Sequence, residues 1–186
     1  MLLKRAASGQ LALMPAAMRV MQEPPGGSPP GGLTQSQAAP SGPLATERSL
    51  VEGAKKATLL AASLAYQKYS ATIADQQEVL AAIADMVMEV FAMESVVLRA
   101  EKIAAHLQSQ NASATNALKM ARLVVHTRME TIEQRALMVF AAVSAGGKMP
   151  AQQAVLARLV GRDLVDTIGL RRDVAARVIE QSKYSV

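Results

Sequence analysis

Glu94 and Glu101 stand seven residues apart in an apolar run, so on a helix they share one face. Two carboxylates so placed can divide general acid and general base work, or hold a metal ion. A di-iron bundle needs Glu-x-x-His on two helices. Here the third residue after Glu101 is Ala104, the third after Glu130 is Glu133, and the sequence has no such motif. His106 falls near a helix end. His126 and Glu130 have i,i+4 spacing on the margin of another helix, which by itself implies a surface hydrogen bond. No nucleophile accompanies either histidine. The chain has no cysteine, which removes disulfides, thiolate metal sites and cysteine nucleophiles. No catalytic, cofactor-binding or metal-ligating residue is therefore expected. Glu94 and Glu101 are read as structural, ion-paired to Arg122 and Arg128 of a facing helix, because an unpaired buried carboxylate costs several kcal/mol.

The element carrying these carboxylates is one long amphipathic helix from Asp75 to Leu107. At 100° per residue, Val79, Ile83, Met86, Val87, Val90, Val97 and Leu98 lie on its inner face with Glu94 and Glu101. Asp75 and Glu78 form a D-x-x-E pair that places Asp75 as N-cap. Before it, Thr46 to about Ser70 reads as helix, with Leu50, Ala54, Ala57, Leu60, Ala61 and Leu64 inward. After it, a third helix begins at Asn111 or Ser113 and ends at the Gly146-Gly147 cap. Its seam is Leu118, Ala121, Val125, Met129, Ile132, Ala136, Val139 and Val143. Pro150 opens a fourth helix ending near Gly161, and Asp166 to Gln181 makes a last one. The two longest helices, each about 30 residues or 45–50 Å, are joined by a short connection and so are antiparallel neighbours. The fold class is all-α, an up-and-down bundle.

Residues 1–21 read as a helical segment, interrupted or begun afresh near Pro15. Residues 22–43 hold six of the eight prolines and five of the eleven glycines. With so little to bury, that stretch is expected to be a disordered linker. The bundle domain is assigned to residues 44–186.

Hydrophobic residues make up 51% of the chain but aromatics only 3%, so alanine, leucine, valine and methionine must fill the core. Those residues favour helix over strand. Met86, Met88, Met93, Met120, Met129 and Met138 suit core filling better than an acyl-chain groove. No phosphate loop or dinucleotide fingerprint is present, nor an apolar run long enough to cross a membrane. The net charge of +5 sits at the two ends, and residues 47–147 sum to zero. Lys4, Arg5 and Arg19 at one end, and Arg171, Arg172 and Arg177 at the other, are candidate contacts to an anionic membrane surface. Nucleic acid is disfavoured, because single-strand binders need aromatic stacking platforms.

The stretch DQQEVLAAIADMVMEVFAMES, from Asp75 to Ser95, resembles the C-terminal helical domain of very-long-chain-type acyl-CoA dehydrogenases, including their bacterial relatives. MLLKRAASGQLALMPAAMRVM looks like the end of that family's catalytic helical domain, and VDTIGLRRDVAARVIE is similar to its closing segment. The resemblance covers roughly the whole chain. It implies an accessory domain of an FAD-dependent desaturase of acyl-CoA thioesters, serving fatty acid β-oxidation. In the family the flavin site, acyl-CoA cleft and catalytic glutamate lie upstream, so no catalytic residue carries over and FAD belongs to the parent enzyme. The chain then reads as a separated or truncated C-terminal domain, with Met1 an internal methionine used as a start. Implied partners are the catalytic domains, an anionic membrane surface and a homo-oligomer, with no nucleic acid. The implied location is cytoplasmic and peripheral at the inner membrane in a bacterium, or the mitochondrial matrix in a eukaryote. The alternative is a free-standing helical protein that coats lipid or pairs with itself.

Overall fold

The computed structural model describes residues 13–23, 42–107 and 112–182. Among these there is no strand. The elements are α1 (Leu13–Gln22), α2 (Ala45–Tyr69), a 3-10 segment (Ser70–Asp75), α3 (Gln77–Leu107), α4 (Ala112–Ser144), α5 (Pro150–Val160) and α6 (Thr167–Gln181). Contacts between side chains fix the direction of the three long helices. Asp85 pairs with Arg135 at 3.0 Å and Glu89 with Arg128 at 3.0 Å, so α3 and α4 run antiparallel. Glu94 meets Lys55 and Glu101 meets Arg48, so α2 is antiparallel to α3 as well. The arrangement is up, down, up.

Small residues let these helices approach closely. Ala54, Ala57, Ala61, Ala65, Ala121 and Ala136 are all fully buried, and between them Leu60, Met86, Met93, Met129 and Ile132 fill the interior. The seams expected for α2 and α4 are therefore observed, except that Leu118 is only partly buried. Pro150 stands in the first turn of α5, where its missing N–H costs nothing. Asp166 caps α6 by accepting a hydrogen bond from the Gly169 N–H at 2.8 Å.

The seam expected for α3 is found in part: Val79, Met86 and Val97 are buried and Ile83 and Val90 pack against the core, but the centre of the buried face is turned from the one expected. Its buried residues are Val79, Ala82, Met86, Met93, Val97, Ala100 and Ala104. Val87 and Leu98 are instead exposed, by 42% and 53%. The helix carries two apolar stripes, and a reading weighted toward large side chains merges them. Alanine and methionine mark the inner one.

Asp75 is also not the N-cap. It ends the 3-10 segment and is exposed, and Gln76 accepts the first helical bond of α3, from Leu80 N–H at 3.0 Å. The buried Ile73 anchors that tight turn and sets where the next helix can start. At the end of α4, Gly146 N–H donates to Ala141 O and Ala145 N–H to Ala142 O. This is a Schellman closure with Ala145 (φ 49) as well as Gly146 (φ 81) in the left-handed region.

Helix α1 lies against α2, with Val20 in the common core. Arg158 of α5 donates to the carbonyls of Val20 and Glu23, satisfying acceptors that a helix C-terminus leaves open. Lys56 pairs with Glu23 at 2.5 Å. The segment before the proline- and glycine-rich stretch is thus clipped to the bundle from two helices. Residues 24–41, the bulk of the expected linker, lie outside the described residues, as do 1–12 of the N-terminal segment.

Candidate functional site

Glu94 and Glu101 are both ion-paired, but not to the arginines expected. Glu94 is near the surface, at 45% side-chain exposure, and pairs with Lys55 of α2 at 2.6 Å. Glu101 is more enclosed and accepts from both Nε and Nη2 of Arg48. Arg128 holds Glu89, and Arg122 holds Glu47. The correction follows from the phase of α3, whose Glu94–Glu101 edge faces α2 while its Asp85–Glu89 edge faces α4. The lysine and arginine on α2 reach that edge first.

The most enclosed charge is one the spacing argument passed over. Glu47, in the first turn of α2, is 2% exposed, and its Oε1 accepts from Arg122 Nε at 2.8 Å. Extending the α2 seam back from Leu50 by one turn would have found it. Beside it lies His126, buried rather than marginal, with its Nε2 3.7 Å from Glu47 Oε1 and no hydrogen-bond partner. The surface hydrogen bond expected from i,i+4 spacing to Glu130 is replaced by this inward position. His126 also lines a cleft of about 370 Å³ between α4, the end of α5 and the connection to α6. Glu130, Glu133, Arg162 and Asp163 form its polar wall, where Arg162 reaches Glu133 at 3.1 Å and Glu130 at 3.9 Å.

Burial pushes the His126 imidazole below its ordinary value. Glu47 opposes that shift, while Arg162 and Arg122 reinforce it. The ring is thus neutral in the folded domain. The linkage sign follows, because the unfolded chain binds this proton more readily. The contribution of His126 to stability is complete above its unfolded value of about 6.5 and is lost as pH falls below that. Urea unfolding between about pH 7 and pH 5 should show stability declining with acid, and His126→Gln should flatten that decline. An unchanged slope in the variant would assign the proton elsewhere.

The chemistry available here is modest. Glu47, Glu130 and Glu133 each face an arginine, and the neutral imidazole has no nucleophile beside it. Among the described residues no group of three His, Cys, Asp or Glu is placed to hold a metal ion. A flavin fits poorly too, because its pyrophosphate would meet Glu130, Glu133 and Asp163 in the cleft. The cluster acts as an electrostatic clamp joining α2, α4 and the α5–α6 connection.

The basic ends are not gathered into one patch by any contact found. Arg19 is exposed on α1, which rests on α2; Arg171 and Arg172 are exposed on α6, which rests on α4. Arg177 is partly buried, paired with Glu180 at 3.3 Å, and its Nε is enclosed without a partner. It faces the domain more than a surface. Lys4 and Arg5 lie outside the described residues.

Comparison with known proteins bears on this geometry directly. The family model described as "Acyl-CoA dehydrogenase, C-terminal domain" matches residues 53–158, from within α2 to within α5 and over more than half of the chain. The chain belongs to the acyl-CoA dehydrogenase C-terminal domain family. As such a domain it is 34% identical to a "Probable acyl-CoA dehydrogenase" of Bacillus subtilis (strain 168), over 99% of this chain and 30% of that protein. It also superposes on the crystal structure of an acyl-CoA dehydrogenase complexed with FAD from Bacillus anthracis, with a TM-score of 0.80 and 28% identity. That match covers 100% of this chain and 30% of the solved one. The chain thus spans about 30% of the length of both relatives. Helices α1 and α6 fall outside the family match yet inside the span shared with both dehydrogenases.

Proposed function

We propose that this domain is the accessory C-terminal part of an FAD-dependent long-chain acyl-CoA dehydrogenase acting in fatty acid β-oxidation. It packs on the catalytic domains and leaves the chemistry to them. One observation carries the reading: the whole chain corresponds to only 30% of an acyl-CoA dehydrogenase complexed with FAD. The clamp of paired charges around Glu47 supports it, since it offers structure and no reactive group. The purified chain, incubated with FAD and desalted, should carry no flavin absorbance. Mixed with the separately produced flavin-binding portion of its parent enzyme, it should co-migrate with that portion and raise its thermal stability. Stoichiometric flavin on the chain alone, or no association, would overturn the proposal.

A membrane-surface role is the second part of the proposal, and α6 is the feature that favours it. That helix contains no buried residue. Leu164 just before it is fully exposed, as are most of Ile168 and Ile179, and Arg171 and Arg172 project beside them. An apolar side flanked by arginines suits the headgroup boundary of an anionic bilayer. No helix among the described residues is long and apolar enough to cross a membrane. Binding by two arginines should be weak, at about 1 kcal/mol each, and screened by salt. Co-sedimentation with phosphatidylserine vesicles at low salt should fall when both are changed, Arg171→Glu with Arg172→Glu. Unaltered pelleting would remove α6 from membrane docking.

A further inference from the structure

The cleft between α4 and the α5–α6 connection carries charge that the clamp leaves unused. Glu130, Glu133, Asp163 and Arg162 line it, so three carboxylates face one guanidinium and leave a net charge of −2. Arg162 is committed to one side. Its Nη1 donates to Glu133 at 3.1 Å and to the Val160 carbonyl at 3.3 Å. It approaches Glu130 only to 3.9 Å, beyond hydrogen-bond reach. Among the described residues no side chain donates to the Glu130 carboxylate, and Asp163 has neither an ion pair nor a side-chain hydrogen bond. These two carboxylates are the surplus.

An exposed acidic cluster is ordinarily just solvated, but this one stands beside a buried polar group. His126, one turn before Glu130 on the same face of α4, is 4% exposed and lines the cleft. Its Nε2 has no hydrogen-bond partner, and Glu47 Oε1, 3.7 Å away, is already held by Arg122. The neutral ring offers one acceptor nitrogen, and no described side chain donates to it. An enclosed polar group left unmatched is unfavourable, and a donor arriving through the cleft would match it.

The spread of these acceptors narrows the ligand. A metal ion does not suit them, because no three His, Cys, Asp or Glu among the described residues are placed to hold one. An anion would meet the surplus carboxylates. Beside the acidic positions the lining includes the apolar Ala157, Val160 and Val165. A fitting ligand therefore has positive charge and N–H donors at two separated points, with hydrocarbon between them. We infer that the cleft binds a linear alkyl diammonium ion, one ammonium donating to Glu130 and the His126 ring, the other to Asp163, with the methylene chain along Val160 and Val165. Its two charges cancel the surplus. Because both carboxylates are exposed, binding is weak, in about the millimolar range, and falls with salt. Binding of this kind asks nothing of the flavin chemistry.

Titration of the isotope-labelled full chain with 1,4-diaminobutane, at neutral pH and low salt, should give saturable NMR shifts at the His126 ring and the amides of 161–167. n-Butylammonium has one charge on the same carbon chain, and at equal ionic strength it should bind at least about fivefold more weakly. Tetramethylammonium, charged but without an N–H, should give no saturable shift at His126. Glu130→Gln with Asp163→Asn, both at exposed positions, should keep the helical circular dichroism and lower the diamine affinity at least about tenfold. No saturation at tens of millimolar overturns the inference, as does equal binding of butylammonium or an affinity unchanged in the double variant. So does displacement of the diamine by the separately produced flavin-binding portion of the parent enzyme, which would give the cleft to a protein partner. Diamine binding with no association of that portion would support the diammonium site and overturn only the proposed packing on the catalytic domains.

Discussion

Replacing Arg122 with methionine should destabilise the domain by about 3 kcal/mol, while Glu47→Gln should cost about 1 kcal/mol or less. The asymmetry lies in the burial of the two partners. Glu47 is 2% exposed and Arg122 is 46% exposed. Removing the arginine strands a carboxylate in the interior, with only the neutral His126 and the positive end of α2 near it. That helix end recovers a fraction, since a carboxylate in a first turn gains about 0.3–1 kcal/mol from the dipole. Removing the carboxylate instead leaves a guanidinium that can turn into water. The double variant, Glu47→Gln with Arg122→Met, should therefore be more stable than Arg122→Met alone. Urea denaturation of the four proteins at neutral pH tests this cycle. Equal costs for the two single changes, or strict additivity, would mean that water already reaches Glu47.

The parts of this fold that were legible in the sequence are those where one stripe of large apolar residues stands alone. In α2 and α4 the residues from Leu50 to Leu64 and from Ala121 to Val143 point one way, and they are the buried ones. In α3 two stripes compete. The stripe that packs is the one with Ala82, Ala100, Ala104 and Met93, because close approach of three long helices demands small or pliable side chains. A ranking by hydrophobicity alone cannot see that demand. The shift in phase then misassigned every ion pair of α3, since partner choice depends on which neighbour each edge of the helix meets. Glu47 was missed for a related reason. A charge in a first turn reads as solvated, and only the packing of α4 against that turn makes it buried.

The family was legible where the fold was not fully so. The wording of residues 75–95 carries the likeness to acyl-CoA dehydrogenases whatever the phase assigned to the helix, and the family model matches residues 53–158. The phase error nonetheless bears on function. Placing Leu98 and Val87 inside would have hidden the exposed stripe that Met88, Phe91 and Leu98 make. The face most open to a partner becomes visible only once the inner seam is correctly drawn.

Gly53→Val should lift α5 from α2 and cost about 3 kcal/mol. A Cβ built at Gly53 would lie 2.1 Å from the carbonyl oxygen of Leu159 and 3.2 Å from its carbon. Both are backbone atoms, so no side-chain rotation relieves the contact and the helices must separate. The loss of glycine offsets little, since valine improves helix propensity only by a few tenths of a kcal/mol. Helix α5 is short, and its grip on the bundle is Leu156, Leu159 and Val160. Arg158 adds its bonds to the carbonyls of Val20 and Glu23. All of these loosen together if α5 moves away. The change should therefore be local before it is global: amide exchange should accelerate across 150–160 and 13–23 while the α3–α4 pair stays protected. Gly53→Ala should act in the same direction and less strongly, because a single methyl group demands a smaller displacement. Retained protection of both segments in Gly53→Val would show that α2 can bend at this point, and would remove the close approach as the reason for a glycine in mid-helix.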